Sequence, residues 1–297
     1  MSEPQTCVII LNWRQPQMTV ECVHAVQRMT AASFELLLVD NGSGDGSVEY
    51  LRRALPDVEL LALPENVGFA AGANRALEQA HARGFEHALL MNNDAFPAPD
   101  MLSRLLVETA PDVALLSPKI FYEQPPRRIW FAGGRQHPSL LEMRDTGQGE
   151  PDGPRWTQSR DVDYLVGTGL LVNLQAAAEV GWLNECFFMY YEDLDWSIRL
   201  RQAGYRLRLV ADAHLYHRVS RSAGGTDSPL HRYYLARSSI LFFRRHAASG
   251  RPAAILFYRL GSAIKMVGRL ALSGKLNTAW AYVRGLVDGW RVSRNLL

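Results

Sequence analysis

The chain is predicted to be an α/β protein, with a largely parallel sheet covered on both faces by helices and a helical extension at the C-terminal end. Three observations predict it. Short apolar, β-rich runs alternate with helix-periodic segments through the N-terminal third, three of those runs end in Asn or Asp, and the charge changes sign along the chain.

Cys7 to Leu11 is the first strand, and Thr19 to Arg28 follows with apolar Val20, Val23 and Val26 at helical spacing. Phe34 to Val39 is a second strand closed by a turn cluster from Gly42 to Gly46, which completes a βαβ unit. Another round runs through a helix from Gly46 to Leu55, a strand from Val58 to Leu63, a helix from Gly68 to Arg83 and a strand from His87 to Met91. Glu123 to Arg160 is rich in Pro, Gly and Arg with weak periodicity, so it is predicted as a long irregular excursion with a hairpin, near the acceptor side. Val162 to Val172 is apolar again, Asp193 to Ala203 starts as a helix with acids in its first turn, Leu207 to Val210 reads as a strand, and His231 to His246 reads as a helix.

With 297 residues, 47% hydrophobic and 21% charged, the composition excludes disorder and low-complexity arrays. Its longest apolar runs, such as Val8 to Leu11 and Ala253 to Tyr258, fall well short of the ~20 residues that span a bilayer. The opening Met1-Ser2-Glu3-Pro4 lacks the basic stretch of a leader peptide, and a cytoplasmic location is expected. Cys7, Cys22 and Cys186 form no C-x-x-C pair, so they read as small buried hydrophobes.

The net charge of +2 conceals two opposed parts. From Arg244 onward ten basic residues face one acid, Asp288, giving +9 and leaving −7 for the first 243 residues. We divide the chain into a domain over 1–245 and a basic amphipathic helical extension over 246–297. In the extension, apolar residues recur at three- and four-residue steps between Arg and Lys, as in helices that lie in a membrane interface. A lid packed on the body, or a contact with a second copy of the chain, fits the same pattern. No nucleic-acid-reading motif is present, so a nucleic-acid partner is not expected.

Ligands of open α/β sheets bind beyond the carboxyl ends of the strands. Asn12, Asp40 and Asn92-Asn93-Asp94 each stand there. Asp40, in Val39-Asp40-Asn41-Gly42-Ser43, can accept the N3 proton of a uracil or thymine ring, or it can close an Asx turn. Asn66-Val67-Gly68-Phe69, with Gly72 and Asn74 beyond it, opens a helix whose N–H groups suit a diphosphate, or it provides close helix-to-sheet packing. Asp94 is one oxygen ligand for a divalent cation, which requires a second; His217, past a strand, can supply a neutral imidazole. Glu192, Asp193 and Asp195 crowd together beside Tyr190, Tyr191 and Trp196, an arrangement that raises pKa values as a general base requires, or they are solvated acids at a helix start.

Taken in order, these motifs, with Gly167-Thr168-Gly169, resemble the family 2 glycosyltransferases of the GT-A fold, in particular their rhamnosyltransferase-like branch. The resemblance runs from about Thr6 to Arg245. It implies a Rossmann-like mixed sheet flanked by helices, and an inverting, metal-dependent transfer of a sugar from a nucleoside diphosphate. It further implies that Asp40 holds the pyrimidine, that Asn12 and Asn74 line the nucleoside pocket, and that Asn41, Asn66, Gly68, Asn92 and Asn93 belong to the donor side. Asp94 and His217 would bind Mg²⁺ or Mn²⁺, Asp193 would be the base, and Gly167, Thr168, Gly169, Glu192 and Trp196 would lie on the acceptor side. The first position of the family's D-x-D motif is Asn92 here, which lowers the charge offered to the cation. The implied donor is dTDP-rhamnose, with UDP-galactofuranose or a UDP-N-acetylhexosamine as alternatives. The acceptor is a saccharide or polyprenyl-diphosphate-linked sugar. Two other classes stay open: a nucleotidyltransferase, against which the loop Asn12-Trp13-Arg14-Gln15-Pro16 lacks a Gly-rich phosphate cradle, and a non-catalytic nucleotide-sugar-binding protein.

Overall fold

The computed structural model describes residues 6–30, 33–125, 127–219 and 227–293. Its N-terminal half runs β1 (Thr6–Asn12), α1 (Pro16–Gln27), β2 (Phe34–Asp40), α2 (Ser47–Ala54), β3 (Glu59–Ala62), α3 (Phe69–Ala82), β4 (His87–Asn92), β5 (Ala95–Pro97), α4 (Met101–Val107) and β6 (Val113–Tyr122). Short strands follow, β7 (Ile129–Phe131), β8 (Gly134–Gln136), β9 (Met143–Asp145) and β10 (Arg160–Asp161), then β11 (Gly169–Asn173) and α5 (Leu174–Val180). The remainder is α6 (Glu192–Gln202), β12 (Arg206–His217), α7 (Pro229–His246), α8 (Pro252–Leu272) and α9 (Leu276–Arg291).

The main sheet has the order β10-β12-β6-β11-β4-β1-β2-β3. β1 is buried along its whole length, as a strand covered on both faces must be, and each large aliphatic side chain so buried contributes about 1.5–3 kcal/mol. From β4 through β1 and β2 to β3 all pairs are parallel, and the register sets Asn12 beside Asp40 and Leu11 beside Asn92. Polar strand ends therefore stand side by side along one sheet edge. Beyond β4 the sheet departs from the largely parallel arrangement expected from the alternation: β11 runs antiparallel to both β4 and β6, so the sheet is mixed. A fully apolar run such as Leu170 to Val172 is compatible with either direction, because burial on two faces reads the same both ways.

The 123–160 excursion has the expected hairpin and is more closely tied to the sheet than its weak periodicity suggests. It contains a β8–β9 hairpin and contributes β7 to the edge of β6, while buried Lys119 ties it to the sheet through Asp152 at 2.8 Å and the Trp156 carbonyl at 3.0 Å.

The C-terminal helices pack on the body. Gly285 and Gly289 of α9 sit against the α7 backbone; a Cβ on Gly289 would meet the Arg237 carbonyl oxygen at 2.7 Å, so only glycine permits the approach. Tyr233 of α7 donates to Asp288 at 3.0 Å, and Arg244 donates to the carbonyls that end α9. Leu256, Phe257, Leu260 and Ile264 of α8, with Trp280 and Trp290 of α9, remain exposed. Among the described residues no helix is long and apolar enough to cross a membrane.

Candidate active site

A cavity of about 430 Å³ opens at the carboxyl edge of the sheet. Asn12, Asn92, Asn93 and Asp94 line it from the strand ends, with His217 beside Asp94; Asn41, Asn66 and Gly68 line it from the neighbouring loops, and Gly167, Thr168, Glu192 and Asp193 line it as well. Asp94 and His217 are brought there by β5's pairing with β12, which sets Ala95 against His217. His217 Nε2 lies 3.2 Å from Asp94 Oδ1, and His217 Nδ1 is buried without a hydrogen-bond partner. Trp130, from β7, meets the His217 ring edge-on at 4.5 Å and fixes its orientation. Two ligands bound in adjacent positions about 2.1 Å from a six-coordinate ion lie about 3 Å apart, so this pair fits Mg²⁺ or Mn²⁺. Among the described residues no group of three or more His, Cys, Asp and Glu side chains gathers here. Substrate oxygens and water would have to supply the remaining positions, the usual habit of these hard cations beside phosphates.

Asp193 enters at the start of α6, where Tyr190 and Tyr191 both take left-handed backbone angles, φ 67° and 71°. Such strain costs of order 1–3 kcal/mol per residue and persists only where the surroundings enforce it. α7 enforces it: Ser238 donates to the Met189 carbonyl at 2.7 Å, Tyr190 and His231 share a hydrogen bond at 2.8 Å, and Tyr234 stacks on Phe188 at 4.7 Å. Asp193 Oδ2 accepts from the Gly167 N–H at 3.0 Å and Oδ1 from the Leu194 N–H at 2.8 Å. Burial nevertheless outweighs these donors and raises its carboxyl to about 6. Glu192 is pushed well above the ordinary carboxylate range, by burial first and by the Asp193 charge second, and one of its oxygens has no partner. Both carboxyls are thus raised by burial, and Asp193 alone of the two is held by two backbone N–H donors.

Asp195 differs from its neighbours and from the solvated-acid reading. It is fully buried, with Arg199 at 2.8 Å, Arg245 at 3.0 Å and His246 at 2.8 Å. Burial alone would raise its carboxyl, yet the His246 hydrogen bond and the Arg199 charge hold it below its usual range. It joins α6 to α7.

Four sequence candidates do not line this cavity. Asp40 is fully buried, its carboxylate accepting from the Asn12 amide at 2.6 Å, the Ser43 hydroxyl at 2.7 Å and the Ser43 N–H at 3.0 Å, which is the turn-closing alternative. Asn74 spends its amide on Leu183, accepting at 3.1 Å and donating at 2.8 Å. Gly169 gives room to Leu215, whose side chain a Cβ would meet at 2.5 Å, and Trp196 is a core residue donating to the Gly181 carbonyl at 2.9 Å. At the start of α3, where a diphosphate cradle is expected, the Phe69 N–H is taken by the Phe188 carbonyl at 2.7 Å. Trp13, Phe69, Trp130, Phe188 and Tyr190 line the cavity without having been singled out as site residues. The aromatic cluster flanking the acids was the one available signal, and it points to Tyr190 alone.

A mixed α/β sheet with Asp94, His217 and the buried Asp193 around one cavity at its carboxyl edge has the architecture of the GT-A glycosyltransferases. The profile for glycosyl transferase family 2 matches residues 7–153 and that for glycosyl transferase family group 2 matches residues 87–286. The chain belongs to the family 2 glycosyltransferases. It is 28% identical over 283 residues to N-acetylglucosaminyl-diphospho-decaprenol L-rhamnosyltransferase of Mycobacterium tuberculosis (strain ATCC 25618 / H37Rv), covering 88% of this chain and 90% of that protein. To the dTDP-rhamnosyl transferase RfbF of Shigella flexneri it is 21% identical over 206 residues, 66% of this chain and 67% of that one. Among solved structures it resembles the mannosyltransferase PcManGT of Pyrobaculum calidifontis, in complex with GDP-Man and Mn²⁺, with a TM-score of 0.59, 15% identity, and coverage of 98% of this chain and 88% of that one.

Proposed function

We propose that this glycosyltransferase is metal-dependent and inverting, and that it moves L-rhamnose from dTDP-rhamnose to a hydroxyl of a saccharide or polyprenyl-diphosphate-linked acceptor during cell-surface polysaccharide synthesis. The observation that carries the reading is a single cavity onto which Asp193 and the Asp94–His217 pair both open. Asp94 and His217 would hold Mg²⁺ or Mn²⁺, which when bound supplies positive charge against the leaving diphosphate. Asn12, Asn41 and Asn66 line the nucleoside side, and their hydrogen bonds to Asp40, Thr19 and one another fix its shape. Asp193, oriented by the Gly167 N–H, takes the proton of the acceptor hydroxyl as its oxygen attacks the anomeric carbon, a contribution of about 10²–10⁴-fold. The names of the two rhamnosyltransferase relatives support rhamnose as the sugar, dTDP as its carrier and a diphosphate-linked acceptor.

We further assign the enzyme to the cytoplasmic face of the cell membrane, with the exposed apolar residues of α8 and α9 set among Arg251, Lys265, Arg284 and Arg291 against anionic lipid. The test of the donor is a thermal-shift comparison of dTDP-rhamnose, UDP-galactofuranose and UDP-N-acetylglucosamine with Mn²⁺. A donor that binds only the folded state raises the melting temperature. Stabilisation by dTDP-rhamnose is expected, and stabilisation by a UDP-sugar alone would replace it.

A further inference from the structure

Asp193 also faces a second cavity, of about 460 Å³, whose far wall is α8. The two cavities share Val166, Tyr190, Glu192 and Asp193, so a molecule held in the second can present a hydroxyl to the base while the first holds the donor. α8 contributes Tyr258 and Arg259 to this wall. Arg259 donates from Nη2 to the Ser239 hydroxyl at 2.7 Å, and its guanidinium lies over the Phe243 ring at 4.6 Å. Its Nε is buried with no hydrogen-bond partner, the neutral Tyr191 hydroxyl is its neighbour in the cavity, and among the described residues it forms no ion pair. A partly buried guanidinium lacking a counter-charge is costly unless an anion completes it.

The acids around it are already engaged. Glu142 is paired with Arg144 at 2.7 Å, Asp145 accepts from the Tyr164 hydroxyl at 2.6 Å, and burial pushes the Glu192 carboxyl well above its ordinary range. None of these three forms an ion pair with Arg259, and Asp193, on the same cavity, is held by the Gly167 and Leu194 N–H groups. One residue away, the outward side of the same helix carries Leu256, Phe257, Leu260 and Ile264, exposed by 60%, 73%, 55% and 66%. The order across α8 is therefore sugar-sized cavity, cation, apolar surface. A sugar joined to a lipid through phosphate has the same order of parts, whereas a sugar acid has no apolar end.

We propose that this second cavity is the acceptor site and that Arg259 is its receptor for a phosphate or diphosphate linking the acceptor sugar to a lipid. The inference rests on the glycosyltransferase reading of Asp193 given above. Arg259 is a specificity residue, and its replacement should discriminate between acceptors with and without phosphate.

The test is calorimetry on the full chain in EDTA, which silences metal-dependent donor binding, with farnesyl diphosphate, farnesol and inorganic pyrophosphate as probes in the same detergent. Arg259→Gln should weaken farnesyl diphosphate at least tenfold, Arg259→Lys should retain most of the affinity, and farnesol should bind all three proteins alike. Equal affinity of wild type and Arg259→Gln for farnesyl diphosphate, or no binding to wild type, overturns the proposal. Pyrophosphate binding as tightly as farnesyl diphosphate would assign the cation to free phosphate and remove the lipid. A purely structural role for Arg259 would instead lower the melting temperature and weaken all ligands together. Mn²⁺-dependent binding of dTDP-rhamnose, measured in parallel, is expected to be unchanged in both variants; its absence from wild type would count against the donor reading, independently of Arg259.

Discussion

Replacing Asp193 with Asn should abolish transfer while making the protein more stable at neutral pH. Its carboxyl is raised to about 6 from an ordinary value of 3.8, so the folded state holds the proton more tightly than the unfolded chain does. For an acid shifted upward, the penalty is absent below about pH 4 and fully developed above about pH 6. At about 1.4 kcal/mol per pH unit, it amounts to roughly 3 kcal/mol of stability lost by wild type at pH 8. Asn removes the charge but has one carbonyl oxygen for the two N–H groups of Gly167 and Leu194 that Asp193 now satisfies. Leaving one of them unpaired costs about 1–3 kcal/mol, so the net gain is on the order of 1 kcal/mol at pH 8 and turns to a loss below pH 4. Denaturant melts of both proteins between pH 4 and 8 read this crossing directly. Initial transfer rates should rise tenfold per pH unit up to about 6 in wild type and fall about 10²–10⁴-fold in the variant. A stability difference independent of pH, or a variant within tenfold of wild-type activity, would refute the assignment of Asp193 as a desolvated base.

Three further outcomes are expected. Asp94→Ala and His217→Ala should each abolish Mn²⁺-dependent binding of dTDP in calorimetry, and Mn²⁺ alone should bind wild type only weakly, because the protein offers two ligands. Asp195→Ala should cost about 2–4 kcal/mol in urea unfolding, because it removes the fully buried carboxylate that the partly buried Arg199 and Arg245 share. Phe257→Ser combined with Trp280→Ser should reduce flotation with vesicles rich in anionic lipid without changing the melting temperature, since both side chains are more than two-thirds exposed.

Much of the fold was legible because β1, β2 and β4 are short apolar runs ending in polar residues, and that pattern survives in one dimension. β12 was read only from Leu207 to Val210, although it continues to His217, because a register shift between Val210 and His214 interrupts its alternation. In the site, Asn12, Asp94, Asp193 and His217 were legible from strand ends and from crowded charge. Asp40 and Asn74 were found at plausible positions but with their side chains turned to hold loops, a choice made by neighbours such as Ser43 and Leu183 that lie across a turn or far along the chain. Trp130 and Arg259 were beyond reach, since one comes from a segment without periodicity and the other from a helix whose visible signal was its outer, apolar face.

The close seating of Gly289 against the α7 carbonyls has a consequence for how this enzyme can be taken apart. α7 carries on its other side the hydrogen bonds that hold Met189 and Tyr190, and with them the turn leading into Asp193. The final helix is thus a buttress for the turn that carries Asp193 as well as an exterior surface, so it is not an exchangeable cassette. Grafting a different anchor in place of α9 should disturb turnover even in detergent, where no membrane is present to be missed, unless the graft keeps the small residues at 285 and 289.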